Sequence, residues 1–428
     1  MKKRFAFIVL LVGCSLFLKA QPGLQYQELV ARASLCHLQK DYKQAILYFE
    51  RAFELEQPDE LNAYKAAGVY ALARQQEKAF HYLDISIKKG WTEADWLASD
   101  PYFENLRSKF RKDWDLVIKA AYEGERNYEG SLKHPQLRKK INLLTLNDQR
   151  LRYARIQATN KEEQRTIDEQ IHQSDRDNLE EVKKILKEYG WPKLSDIGRD
   201  GQNNLWLMVQ HADHDVSFQQ YALGLMEQIK HSGQLTMENY AFLYDRVKCN
   251  LNYKQSYGTQ VNWSGNGKAA GFRRIAGESE VDQRRKLLGL PPLYIYALTY
   301  GFDYKPLTKK LSAANDISDL KRTKKLLDSA WLMFREGQFS KAYDAGNTAS
   351  TIAGGMNDEQ NYQSAVLFAK IARTDEDPKY KSIALDFLGL LKQRNTLSNK
   401  RLLQQPEFKL LQEEPRWKDL FLANPYQN

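Results

Sequence analysis

Chemistry in this chain of 428 residues is concentrated between Gly190 and Gln260, where small, polar and titratable residues mix with aromatics. The stretch holds Gly190-Trp191-Pro192, Gln210-His211-Ala212-Asp213-His214-Asp215, Asp245-Arg246 and Tyr257-Gly258-Thr259-Gln260. His211 and His214 are three apart, and His211 and Asp215 are four apart. On a continuing helix that spacing gathers His211, His214 and Asp215 on one face, a pattern that metal-ligating pairs use. Asp177 or Asp213 would add a ligand or orient an imidazole. A metal-free reading makes His211 a general acid or base, since imidazole titrates near neutrality. Asp177 or Asp213 would then orient it, with Asp148, Arg150, Gln210, Asp245, Arg246, Tyr257, Thr259 and Gln260 as binding groups for an anionic or amide-bearing ligand. A structural reading stands beside both. His-Ala-Asp-His-Asp at a helix junction is also capping chemistry, and Asp245-Arg246 with His211 can be a packed polar network.

Familiar catalytic frameworks are missing. There is no His-Glu-x-x-His, no Gly-x-Ser-x-Gly and no phosphate loop following a strand. The cofactor is therefore left open between none and a divalent metal. Trp91, Trp96 and Trp191 offer either sugar-stacking platforms or core and cap aromatics.

The elements that must position these groups are mainly helical. Leu29, Ala33 and Cys36 share a helical face, and Ala45, Phe49 and Ala52 share the next; Tyr64, Ala67, Gly68 and Ala71, then Ala79, Leu83 and Ser86, repeat the plan. Small residues at close-packed positions let helices approach. Gly90-Trp91, Trp96-Leu97 and Asp100-Pro101-Tyr102-Phe103 follow as a cap over the open end. Near the C-terminus Leu326, Ala330 and Met333, then Ala342, Gly346 and Ala349, repeat the pattern. An offset of 305 carries Leu97 to Leu402, Pro101 to Pro406, Phe103 to Phe408 and Leu106 to Leu411. Asp175-Arg176-Asp177 is read as a helix start. Tyr257 to Val261 and Ala270 to Ile275, around Ser264-Gly265-Asn266-Gly267, predict a β-hairpin.

Charge and composition narrow the partners. The formal net charge is +10, with Lys2, Lys3, Arg4 and Lys19 in the N-terminal segment. The remaining excess is not clustered as nucleic-acid binding requires. Lys2-Lys3-Arg4 followed by an apolar run to Leu18 reads as an export signal over residues 1–20. Leu11-Val12-Gly13-Cys14 offers the alternative of a lipid anchor at Cys14. The expected location is the periplasm or cell envelope, and no later segment is apolar enough to span a membrane. Cys36 and Cys249 are read as separate thiols.

The helix pairs resemble the tetratricopeptide repeat, through the small-residue position in helix A and Ala-x-x-x-Phe-x-x-Ala in helix B. The leading Trp of that family is replaced by Leu29 and Tyr64. From about Asn147 to Tyr294 the ordered motifs, continuing through Asp282-x-x-Arg285 and Gly289-Leu290-Pro291-Pro292, resemble a bacterial domain family of unknown function. The expected architecture is mainly α: a signal at 1–20, repeats with cap at 24–118, a central helical domain with a small β-hairpin at 119–305, and repeats with cap at 318–424. Two functions follow. One is an exported repeat protein binding protein or peptide partners, with a polar pocket in the central domain. The other is an enzyme, a hydrolase using His211 with Asp177 or Asp213, whose repeats recruit substrate.

Overall fold

Buried alanines explain how the chain begins. In the computed structural model, which describes residues 23–265, 267–422 and 426, α1 (Leu24–Leu38) folds back on α2 (Tyr42–Leu55), and α3 (Glu60–Leu72) on α4 (Gln76–Lys89). Ala33, Ala45, Ala52, Ala67 and Ala79 are fully buried at these contacts, while Phe49, Tyr70 and Leu83 fill the spaces between. Asp41 and Asp59 cap α2 and α3, each accepting from a main-chain N–H three residues on. A cap of α5 (Ala94–Ser99), a 3-10 turn (Pro101–Phe103) and α6 (Glu104–Lys109) closes this core. Then α7 (Arg111–Glu129) crosses residue 118 without a break and contributes Trp114 and Ala121 to the same core.

The middle of the chain is built on α8 (Pro135–Gln157), α9 (Lys161–Tyr189), α10 (Leu194–His211), α11 (Val216–Ile229) and α12 (Met237–Asn250). Leu205, Leu207, Met208 and Val209 of α10 lie at the centre of its core, with Trp191, Phe218 and Leu243. A two-stranded antiparallel hairpin follows, β1 (Val261–Trp263) and β2 (Ala269–Phe272), with Val261 opposite Phe272. Short α13 (Val281–Leu287) and α14 (Leu293–Thr299) complete this region, and α14 packs on α1.

The last part returns to helical hairpins. Here α15 (Lys309–Arg335) pairs with α16 (Phe339–Ser350) and α17 (Asp358–Ile371) with α18 (Pro378–Gln393). Gly346 stands where α2 carries Phe49, and a Cβ there would come within 2.5 Å of the Phe368 ring. Two short helices, α19 (Asn399–Gln404) and α20 (Pro415–Asp419), flank a 3-10 segment (Pro406–Leu411). The 305-residue offset is visible in the packing of this segment. Tyr64 meets Phe103 edge-on at 5.4 Å, and Tyr362 meets Phe408 edge-on at 5.7 Å. The Tyr64 hydroxyl donates to Asp100 and the Tyr362 hydroxyl to Gln405; the acceptors are 305 positions apart and the tyrosines 298. Trp114 and Trp417 lie beside Phe103 and Phe408.

The fold is thus mainly α with one small β-hairpin, as expected. One expectation fails: Asp175-Arg176-Asp177 does not begin a helix. Instead α9 is continuous from Lys161, where the Asn160 side chain accepts from Glu163 N–H at 2.8 Å and fixes the start. Cys36, half-buried, and Cys249, buried, are free thiols. The expected signal at 1–20 and the alternative anchor Cys14 lie outside the described residues. Among the described residues no helix is long and apolar enough to cross a membrane.

Candidate functional site

The end of α10 decides what the His-rich motif can do. The helix stops at His211, and Ala212 already leaves helical geometry. The face that would have united His211, His214 and Asp215 therefore does not form. His214 is exposed, and Asp215 caps α11 by accepting from Phe218 N–H at 3.0 Å while pairing with Lys183.

His211 turns instead towards α8 and α9. Its Nδ1 lies 3.4 Å from Asp148 Oδ2 and 3.0 Å from Arg152 Nη2. Arg152 also donates to Asp148 and, at 2.5 Å, to Asp175. Nδ1 thus lies between a carboxylate acceptor and a guanidinium donor, and the ring tautomer decides which of the two it bonds. Burial pushes the Asp148 carboxyl up, but the His211 and Arg152 contacts outweigh it and hold it below the usual carboxylate range. Burial raises Asp175, against the opposing pull of Arg152. Asp148, Asp175 and His211 bring ligand atoms within 4.8 Å of one another, the one such group found among the described residues. The Arg152 guanidinium already supplies positive charge there, and a divalent ion would have to displace it. Asp177 is not brought to His211. It is exposed and accepts from Gln173 within its own helix.

Asp213 also turns away from His211. It forms a two-pronged pair with Arg246, both bonds 2.8 Å, and accepts from Gln219 and Asn250. Burial raises its carboxyl, yet the Arg246 pair leaves it below the ordinary range. Arg246 reaches Gln210 and Gln260 at 3.3 Å each. The structure therefore gathers Gln210, Asp213, Arg246 and Gln260 into one network. Asp245 next to it is fully buried and accepts from Ser256, Tyr257 and Thr259 N–H and the Thr259 hydroxyl at 2.6 to 3.1 Å. Its carboxyl, raised by burial against those bonds, holds the 256–259 loop in shape. Tyr257 packs edge-on against Tyr244. These groups are occupied with one another.

Open space lies elsewhere. A cavity of about 480 Å3 sits between the first helical hairpins with their cap and the α8–α10 face. Of the residues singled out for binding, only Arg150 lines it. Six rings face it: Tyr64, Trp91, Trp96, Tyr102, Tyr128 and Tyr153. Tyr64 and Trp91 are stacked at 4.0 Å, and His37, whose ring burial lowers to about 4 and so keeps neutral, meets Tyr102 edge-on.

The cavity floor is a network that reading along the sequence missed. Arg138, fully buried on α8, pairs with Glu125, Glu129 and Asp200 at 2.9, 2.8 and 2.6 Å and donates to Thr92 O. Asn204 donates to Glu93 Oε1 and to Asn142 Oδ1, and Asn142 donates to Asp200. Burial, then the nearby Asp200 charge, pushes the Glu93 carboxyl up to about 7, with Asn204 and Arg138 opposing. Gly198 admits Tyr128 to this floor. Its φ is +73°, and a Cβ there would lie 2.0 Å from the tyrosine hydroxyl. The signal that was available is the run Asp200, Asn203, Asn204 and Leu207, which share one face of α10 at spacings of three and four.

No match to the chain was found among the curated proteins or the solved structures. Residues 135–305 match a family described as of unknown function (DUF6624), and this similarity covers α8 to α14 and stops short of the helical hairpins on either side.

Proposed function

We propose that the protein is a helical-repeat binding protein whose ligand, a peptide or a segment of a protein partner, seats between the N-terminal hairpins and the central helices. The cavity is the observation that carries this reading. Its volume of about 480 Å3 lies within the roughly 300–1,000 Å3 of ligand sites, and aromatic walls with a few directed polar groups are what such sites use. A ligand there would touch both parts of the chain. Hairpins of the tetratricopeptide kind favour the same reading, because stacked helix pairs present concave surfaces to extended chains. The export signal expected at 1–20 would bring the protein to its partners in the cell envelope.

The test is retention of pooled synthetic tripeptides by the full-length protein, read by mass spectrometry. The comparison is Thr92→Trp, which sets an indole into the cavity while keeping the Thr92 carbonyl that Arg138 uses. Retention by the parent and at least a tenfold loss in the variant, with the same melting curve, is the expected result. Equal retention by both, or none by the parent, refutes the proposal.

One contact favours the enzymatic alternative: Asp148 stands beside His211 Nδ1 as an orienting carboxylate would. With Nδ1–H turned to Asp148, Nε2 would be left to take a proton as a general base. Comparison of His211→Ala with the parent on amide and ester substrates separates the readings. Lost turnover at unchanged melting supports catalysis; a lower melting temperature alone assigns the ring to packing.

A further inference from the structure

The cavity in which the proposed ligand sits is electrically lopsided, and this inference rests on that proposal. At its floor Glu93 and Asp200 line the cavity, and behind them Glu125 and Glu129 join Asp200 around the buried Arg138, with Lys139 reaching Glu129; Arg199 and Lys65 line the cavity beside Asp59, Glu60 and Asp100. Glu93 Oε1 is held by Asn204, and no other hydrogen bond to its carboxyl occurs among the described residues. Asp200 is only 8 % exposed, lines the cavity, and its Oδ1 has no hydrogen-bond partner. A buried acceptor without a donor is costly unless something supplies one. The walls above carry the six rings, of which Tyr64 and Trp91 stack on each other and Tyr128 already lies under Arg138. At the rim the sign reverses: Arg150 and Lys89 are exposed and make no ion pair among the described residues.

We propose that the cavity takes a zwitterionic, peptide-like ligand, with a free ammonium group inward against Glu93 and Asp200 between the aromatic rings, and a carboxylate outward towards Arg150 and Lys89. An ammonium brings donors to the two acid side chains and cancels charge the protein leaves over. A neutral amide would do neither. Glu93 is faced by Asp200 and Asn204 from α10, Arg138 and Asn142 from α8, Glu125 from α7 and Tyr64 from α3. Among these only Arg138 is cationic, and three carboxyls already engage it. An incoming ammonium therefore favours the ionised form of Glu93. Because burial holds that carboxyl near 7 in the empty protein, binding at pH 6 releases a proton.

The experiment uses the full chain and three pools of the same tripeptides: unblocked, N-acetylated and C-amidated. The unblocked pool should be retained, acetylation should lower retention at least tenfold, and amidation should lower it by a smaller factor. Calorimetry of a retained unblocked peptide at pH 6, in two buffers of different ionisation heat, should count close to one proton released. Glu93→Gln should abolish that release and erase the preference for unblocked over acetylated peptides, while Thr92→Trp prevents binding altogether. Equal retention of acetylated and unblocked pools, or no proton released by the parent, overturns this inference and leaves the cavity a binding site. Absence of retention from every pool instead overturns the binding function proposed above. Glu93→Leu, which removes the acid without adding an amide, serves as second variant should Glu93→Gln fail to fold.

Discussion

Replacing Glu93 with Gln tests the electrostatics of the cavity floor without any ligand. The carboxyl titrates at about 7 in the folded chain against an ordinary 4.5. Between those values the folded state keeps a proton that the unfolded state has lost, so parent stability falls as pH rises through the interval. The gap corresponds to about 3 kcal/mol, at about 1.4 kcal/mol per pH decade. Below pH 4.5 the acid is neutral in both states and the contribution is fully present; above 7 it is fully lost. Gln has nearly the same shape, can still accept from Asn204 and does not titrate. The stability difference between variant and parent should therefore move by about 3 kcal/mol in favour of the variant from pH 4.5 to 7.5. Urea denaturation at several pH values, followed by the fluorescence of Trp91 and Trp96 in the same cavity, measures this. A difference that does not change with pH, or moves in the parent's favour, would refute the reasoning, since it would mean that Glu93 ionises in the folded chain as freely as in water.

Four further substitutions probe the remaining contacts. Arg138→Met strands Glu125, Glu129 and Asp200 and should cost about 3–5 kcal/mol at pH 7; the deficit should shrink towards pH 4.5, because a buried carboxylate that has lost its cation is relieved by taking up a proton, and urea midpoints across pH show whether it does. Gly198→Ala forces a Cβ at positive φ against Tyr128 and should cost at least about 1–3 kcal/mol from backbone strain alone, visible as a lower urea midpoint. Asp245→Ala leaves the Ser256, Tyr257 and Thr259 donors without their acceptor, a loss of about 3 kcal/mol or more, and hydrogen exchange at these three amides should rise with it. Arg152→Ala removes the cation from between Asp148, Asp175 and His211, so Zn2+ should raise the melting temperature of the variant and not that of the parent; a matching rise in the parent would show that the guanidinium does not exclude metal.

Helical architecture was legible because its causes are local. Alanine at spacings of three and four marks close helix contacts, and Ala33, Ala45, Ala67 and Ala79 are buried where that spacing put them. The offset from Phe103 to Phe408 survives as matching ring contacts. Facing was harder to read. Asp175 and Asp177 differ by two residues, which on a helix is a rotation of about 200°, so one meets Arg152 and the other meets solvent. Choosing between them required the phase of α9 against α8, which residues near in sequence do not set. The Gln210-Asp213-Arg246-Gln260 motif was visible as polar residues in a fixed order. Whether they serve a ligand or each other depends on hydrogen bonds made across three elements. The cavity was least legible, because Glu93 and Asn204 are 111 positions apart and neither belongs to a recognisable pattern. Trp91 and Trp96 pack on the core of the first hairpins and at the same time form part of the wall of a hollow.

The matched aromatic plugs of the two sets of hairpins have a consequence for assembly. A stack of helix pairs offers its last apolar face to any further pair, and an unplugged end would accept a neighbouring molecule as the next unit. Phe103 with Trp114 covers the last of the first hairpins, and Phe408 with Trp417 covers the last of the second set. Each pair of hairpins thereby carries its own cover and buries its last apolar face without a further repeat.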